Sequence, residues 1–351
     1  MKIVVLAGGI RTEGNVSLST GALVCRTLRE HGHRAVLADA FLGLEETDLQ
    51  RLFDTLPPLP GGTIEAAAPD LDQIRALRED GGKNFFGPGV LALCAMADLV
   101  FIALHGQCGE DGKLQAAFDL MGIPYTGSGY LGSAIAMDKG LTKRLAAAGG
   151  VKTPAWRTFT YGENDIEGLA SETALPCAVK IPGGGSSIGV YLPHTRPDLV
   201  AALKEALQFG NQVILEQYIT GREFSLGVLE DRSLPSIEII PKEGFYDYRN
   251  KYQPGATTEI CPADIPAAAE EKMRAAALAV HRILGLNVYS RSDFILDELD
   301  EPWFLEVNTL PGMTPTSLLP QEAAVVGISY GDLCEYIIKA SLKLRGTPGK
   351  G

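Results

Sequence analysis

The stretch from Tyr289 to Ser317, YSRSDFILDELDEPWFLEVNTLPGMTPTS, restricts what this chain can become more than any other. Ser290 to Leu296 is apolar and alternating, Asp297 to Pro302 is charge and turn formers, and Trp303 to Val307 is apolar again, which predicts a β-hairpin. Side chains two apart on a strand share a face, so Arg291 lies beside Asp293 and Glu306 beside Asn308. Where the two faces coincide, two carboxylates, an amide oxygen and a guanidinium meet on one surface. Such a surface selects a cation.

Oxygen donors with no nearby His or Cys suit a hard ion, and Mg²⁺ keeps a few carboxylates together with waters and substrate phosphates. The residues therefore point to a Mg²⁺-nucleotide site on Asp293, Glu306 and Asn308, with Mn²⁺ as the alternative metal. The plainer alternative is a pair of solvated carboxylates on an exposed hairpin. Asn308-Thr309-Leu310-Pro311-Gly312 follows directly, and a rigid Pro-Gly turn after a strand can aim backbone N–H groups at a substrate.

A chain of 351 residues suits two or three packed modules, and 46% hydrophobic with 21% charged residues is an ordinary globular balance. Its net charge of -12 argues against a nucleic-acid surface, which needs clustered Lys and Arg, but not against ATP, whose binding is local. Six cysteines with no CxxC pair form neither a zinc framework nor a disulfide scaffold, so reduced thiols in the cytoplasm are expected. Met1-Lys2 leads straight into a strand without a signal-peptide pattern, and no apolar run approaches membrane-spanning length.

Lys2 to Ala7 is a buried, parallel-type strand meeting Gly8-Gly9, and Ser17 to His31 has helical spacing. Strand, glycine turn and helix open a doubly wound domain, whose ligands sit at the carboxyl ends of the strands. The turn lacks both the GxGxxG and GxxxxGK[ST] fingerprints, which removes the support for a dehydrogenase. It places Glu13 at the crevice instead, where it could meet an ammonium or simply favour the helix dipole. His33 to Ala38 is a second strand, and Phe41 to Gly89 reads as loops and short helices. Asp98 to Leu104 is a third strand ending at His105, which faces the same crevice or serves as a structural hydrogen bonder.

Leu131 to Gly149 reads as one Ala-rich helical region carrying Lys139. Cys177 to Lys180 leads into Gly183-Gly184-Gly185-Ser186-Ser187, a strand and glycine loop suited to covering a triphosphate. Val213 to Thr220 is a strand with Glu216 and Gln217, followed by Arg222, read as solvated, and Glu223. GFYDYRNKY, from Gly244 to Tyr252, is an aromatic and cationic segment of the kind that excludes water from a reactive intermediate. Ala267 to Leu284 and Tyr330 to Leu344 are long helices.

In this order, GGIRTEGNVS, HGQCGEDG, MDK, the GGGSS loop, the Glu-x-x-Ile-x-Gly-x-Glu hinge, FYDYRNKY and RSDF…LEVNTLPGMTPTS resemble the motifs of the D-alanine–D-alanine ligases of the ATP-grasp superfamily. The resemblance runs from about Lys2 to Leu344 and is weakest from Phe41 to Gly89. It implies an α+β, ATP-grasp fold of three domains, 1–126, 127–216 and 217–351, the first a doubly wound α/β domain. It implies ATP-dependent joining of two D-alanines through an acyl phosphate, for peptidoglycan precursor synthesis in the cytoplasm. The implied partners are D-alanine and ATP, and a homodimer is compatible with it.

The resemblance also distributes roles. Glu13 orients the first D-alanine near His105; Lys139, Lys180, Ser187 and Lys251 hold phosphate; Glu216, Gln217, Ile219, Glu223 and Phe245 form the nucleotide pocket. Tyr252 bonds towards Ser186 and Glu13 to lock the lid, Arg291 and the Gly312 N–H stabilise the oxyanion, and Ser317 takes the second carboxylate. An intact Tyr252, which relatives making D-alanyl-D-lactate tend to replace, implies a dipeptide product. The alternatives are a ligase using D-lactate or D-serine, and a non-catalytic ATP-binding protein.

Overall fold

The computed structural model describes residues 1–10, 14–60, 71–78, 80–184, 188–242, 244, 246 and 255–346. Three sheets follow one another along the chain. The first is parallel in the order β2-β1-β3, with β1 Lys2–Ala7, β2 Arg34–Asp39 and β3 Leu99–Ile102. With β1 between its two parallel neighbours, the connections leave in opposite directions and open a crevice beyond Ala7 and Ile102. Ser17, in the helix Gly14–Glu30, closes the floor of that crevice: its Oγ accepts from Gly8 N at 2.9 Å and donates to the Ala103 carbonyl at 2.6 Å. Gly8 has φ +72°, and a Cβ there would lie 2.1 Å from Asp39 Oδ2, so the turn requires glycine on both counts.

The second sheet is antiparallel, β4-β7-β5-β6, from β4 Trp156–Thr160, β5 Cys177–Lys180, β6 Val190–Tyr191 and β7 Gln212–Gln217. Its inner face packs Val179, Val213 and Leu215 on the helix Arg196–Ala206. The third is the largest: β8 Arg222–Leu229, β9 Arg232–Ser233, β10 Ile237–Pro241, β11 Thr257–Ile260, β12 Tyr289–Leu296 and β13 Pro302–Asn308, ordered β11-β10-β8-β12-β13 with β9 beside β8. Phe224, Phe294 and Phe304 cover one face of it, against Met273, Ala277 and Val280 of the helix Ala267–Ile283. The opposite face keeps the polar residues, the division that period-2 patterning dictates.

One sequence reading changes and another is extended. The stretch Leu131 to Gly149 is two helices, Tyr130–Met137 and Lys139–Ala148, because Asp138 adopts an extended backbone and its carboxylate accepts from Leu141 N at 2.9 Å. A helix-capping aspartate ends one helix and starts the next. Arg222 is half exposed, as a solvated residue should be, but it is also held by Glu238 through Nε and Nη2 at 2.6 Å each, so it is ion-paired as well as solvated. The weakly patterned interval holds the short helices Leu49–Thr55 and Leu71–Ala76, as expected. The helix Tyr330–Arg345 sends Leu333, Cys334, Ile337 and Ile338 into the core of the first sheet.

Candidate active site

The hairpin of β12 and β13 is the organising element. Antiparallel pairing sets Arg291 opposite Asn308 and Asp293 opposite Glu306, and a shift in register follows immediately after Asp293. The irregularity lets Phe294 pair with Phe304 in the core while the polar residues stay together on the other face. Arg291 donates from Nε and Nη2 to the two Asp293 oxygens at 3.0 and 2.9 Å. Ser225 Oγ and Asn308 Nδ2 complete the Asp293 shell at 3.0 and 3.2 Å. Across the strand, Glu306 Oε2 lies 3.0 Å from Lys139 Nζ, which also donates to the Gly184 carbonyl at 2.6 Å. Burial disfavours the Arg291 cation, but Asp293 outweighs it and holds the guanidinium firmly protonated.

These groups stand where two cavities meet, both lined by Lys139, Gly184, Tyr246 and Glu306. The first, about 200 Å³, lies over the crevice of the parallel sheet and is lined by His105, Glu110, Arg291, Asn308, Gly312 and Ser317. His105 is held beside Glu110, Nδ1 to Oε1 3.8 Å, while the same carboxylate oxygen accepts from Gly106 N at 3.0 Å. Ser317 stands at the entry of the helix Leu318–Val325 without capping it through its side chain, and its Oγ lies 2.8 Å from Thr314 Oγ1 and accepts from Thr314 N at 3.1 Å. A Cβ on Gly312 would come within 2.8 Å of that Oγ, so any side chain here would displace the Ser317 hydroxyl.

The second cavity, about 400 Å³, lies between the second and third sheets. Ala178, Ile188, Ile219, Ile295 and Leu305 give it apolar walls, with Lys180, Glu216, Gln217 and Glu223 as polar points and Asp293 and Glu306 at the end nearest the first cavity. Apolar walls for a flat ring with charge at one end suit a nucleotide. Lys180 Nζ donates to Glu216 Oε1 at 2.8 Å in a buried pair. Burial alone would lower Lys180 and raise Glu216, but their mutual attraction prevails and keeps both ionised.

Thus Arg291, Asp293, Glu306, Asn308, Gly312, His105, Ser317 and Lys139 converge at one junction, and Lys180, Glu216, Gln217, Ile219 and Glu223 line the adjoining cavity. Glu13, Ser186, Ser187, Phe245, Lys251 and Tyr252 lie outside the described residues. Two residues escaped the sequence reading. Tyr246, buried and lining both cavities, was passed over within an aromatic run. Lys143 is 1% exposed and lies 3.0 Å from Glu216 Oε2. Its signal was its place four residues after Lys139, on the same helical face.

The donor set fits a hard divalent ion. Two carboxylates and an amide share one face, each carboxylate is balanced by a cationic side chain, and oxygen is the donor each of the three residues could offer a metal. No cluster of three or more His, Cys, Asp or Glu able to hold a metal occurs among the described residues.

Two sheets closing on a cavity of about 400 Å³, with acidic and cationic residues at one end, match the ATP-grasp class of ligase folds. The D-ala D-ala ligase N-terminus family matches residues 2–128, and the D-ala D-ala ligase C-terminus family matches residues 145–339. The chain belongs to the D-ala D-ala ligase family. It is 43% identical to a D-alanine--D-alanine ligase of Pediococcus pentosaceus over 98% of each chain, and 41% identical to that of Lacticaseibacillus casei over 98% of this chain and 96% of the other. Among solved structures, the Bacillus anthracis D-alanine--D-alanine ligase complexed with ATP aligns with TM-score 0.72 at 29% identity, covering 98% of both chains. A D-Ala:D-Ser ligase from Enterococcus faecalis aligns with TM-score 0.73 at 27% identity, over 97% of this chain and 99% of that one.

Proposed function

We propose that this protein joins two D-alanine molecules at the expense of ATP, releasing ADP and phosphate. A carboxylate does not react with an amine at neutral pH because its oxygen is a poor leaving group. The γ-phosphoryl of ATP passes to the carboxylate of the first D-alanine and converts that oxygen into part of an acyl phosphate. The amine of the second D-alanine then attacks the carbonyl carbon, phosphate leaves, and a proton is lost from nitrogen. The observation that carries the reading is the in-register meeting of Asp293 with Glu306, flanked by Arg291 and Lys139, where the two cavities join.

In this reading the second cavity takes the nucleotide, with Glu216 to Ile219 beside the base, Glu223 at the ribose, and Lys139 and Lys180 at the phosphates. Mg²⁺, held by Asp293, Glu306 and Asn308, would neutralise charge on the triphosphate. The first cavity takes the amino acids: His105 beside the first, Ser317 at the carboxylate of the second, and Arg291 with the Gly312 N–H at the oxyanion. Glu13, Ser186, Ser187, Phe245, Lys251 and Tyr252 complete the site by family resemblance. Use of ATP supports a cytoplasmic place of action, and no helix among the described residues is long and apolar enough to cross a membrane.

Fold likeness does not choose the second substrate, since ligases for D-alanine and for D-serine align equally well. Relatives 36–43% identical to this chain and named D-alanine--D-alanine ligase support D-alanine. Phosphate release at neutral pH with ATP and D-alanine, D-serine or D-lactate is the test. D-alanine alone should support full turnover and yield the dipeptide by mass; preferential incorporation of D-lactate or D-serine overturns the assignment.

A further inference from the structure

Lys143 forms no part of either cavity wall, yet its buried ammonium meets Glu216, which lines the second. Nζ donates to Thr153 Oγ1 at 2.5 Å, lies 3.0 Å from Glu216 Oε2, and stands 5.4 Å from the Trp156 ring centre. Thr153 Oγ1 in turn donates to the Phe304 carbonyl at 2.8 Å, on β13 two residues before Glu306. The other Glu216 oxygen accepts from Lys180. One carboxylate therefore serves two ammonium groups, and the trio holds a surplus positive charge. Lys180 is the ammonium of the two that lines the nucleotide cavity. Without Lys143, Glu216 would simply neutralise Lys180.

We propose that Lys143 is a positioning residue for the nucleotide phosphates: by engaging Glu216 and Thr153 it leaves the Lys180 charge less fully neutralised by Glu216 and ties β7 of the second sheet to β13 of the hairpin. The inference rests on reading the second cavity as the nucleotide site. It assigns a function to a side chain that never touches the nucleotide, and it explains why an amine is kept in a place where burial opposes its charge.

The test uses the full-length protein and compares affinity for ATP with affinity for adenosine, which lacks phosphates. Lys143→Met should raise KM for ATP about tenfold, the loss of one charge-assisted contact, while adenosine affinity and KM for D-alanine change by less than about twofold. Thr153→Val keeps the charge but removes both of its hydrogen bonds, and should shift KM for ATP in the same direction by about threefold. Thr153→Val carries the test alone if Lys143→Met does not fold. Equal weakening towards adenosine and ATP, or an unchanged KM for ATP in a folded variant, overturns the proposal. Wild-type protein that binds no ATP would sink the nucleotide reading and this proposal with it; wild-type binding beside an unaffected variant sinks this proposal alone.

Discussion

The hairpin cluster and the Lys143–Glu216–Lys180 trio are both charge networks at the same site, but they are assembled in different ways. In the hairpin, β-sheet register alone places Asp293 opposite Glu306 and Arg291 opposite Asn308. In the trio, Lys143 comes from a helix, Lys180 and Glu216 from two strands, and Thr153 from the segment before β4. Hairpin charges face the cavities; Lys143 does not. On the proposed function, the first network acts where bonds change and the second shapes the potential from behind. Hairpin variants should therefore act on kcat, and trio variants on KM for ATP.

The sharpest way to break that contrast is Glu306→Gln. It should lower kcat by about 10³-fold at saturating ATP and D-alanine, the several kcal/mol of charge stabilisation expected of a metal site, with a circular dichroism spectrum like that of the wild type. A rise in KM for ATP without loss of kcat would erase the distinction.

A milder test uses pH. Burial, joined by the nearby Lys180 cation and opposed by Glu216 and Glu306, lowers Lys143 from 10.5 to about 8. The folded protein thus sheds this proton before the unfolded chain does. Its contribution to stability rises with pH between about 8 and 10.5, since the unfolded state binds more protons there. Its charge is lost over the same interval. KM for ATP should therefore increase as pH rises past about 8, and Lys143→Arg, whose guanidinium stays charged, should flatten that limb. A limb identical in both proteins assigns it elsewhere.

The smallest effect belongs to the outer end of the same hairpin. Lys272 and Glu301 form an ion pair there with both side chains substantially exposed. Lys272→Ala should change unfolding free energy by less than about 0.5 kcal/mol and leave kcat unaltered. A large loss of turnover would mean that the hairpin communicates along its length.

This contrast also explains what was legible in the sequence. Arg291 with Asp293, and Glu306 with Asn308, could each be placed on a shared face because strand side chains alternate, whereas the irregularity after Asp293 that sets it opposite Glu306 left no mark in the local pattern. Strands β1, β5 and β12 were found from apolar runs ending at glycine, lysine or a turn. The break at Asp138 was hidden because the Ala-rich flanks favour helix on both sides, whereas the break depends on a single capping carboxylate. The ion pair of Arg222 was hidden because Glu238, its partner, is sixteen residues away on another strand. Lys143 was invisible for a related reason: periodicity places it beside Lys139, but only tertiary packing supplies Glu216 and Thr153. Local pattern reveals faces, and it does not reveal what a distant strand will press against them.

The helix Tyr330–Arg345 has a further consequence. Its side chains fill the core of the parallel sheet, Ser341 Oγ accepts from Gly127 N at 3.3 Å, and Arg345 stands 3.7 Å from the Tyr125 ring centre while donating to the Gly127 carbonyl. During synthesis, then, the apolar floor of the parallel sheet stays uncovered until a helix more than two hundred positions downstream emerges, and removing that helix would unsettle Gly127 and the residues around it.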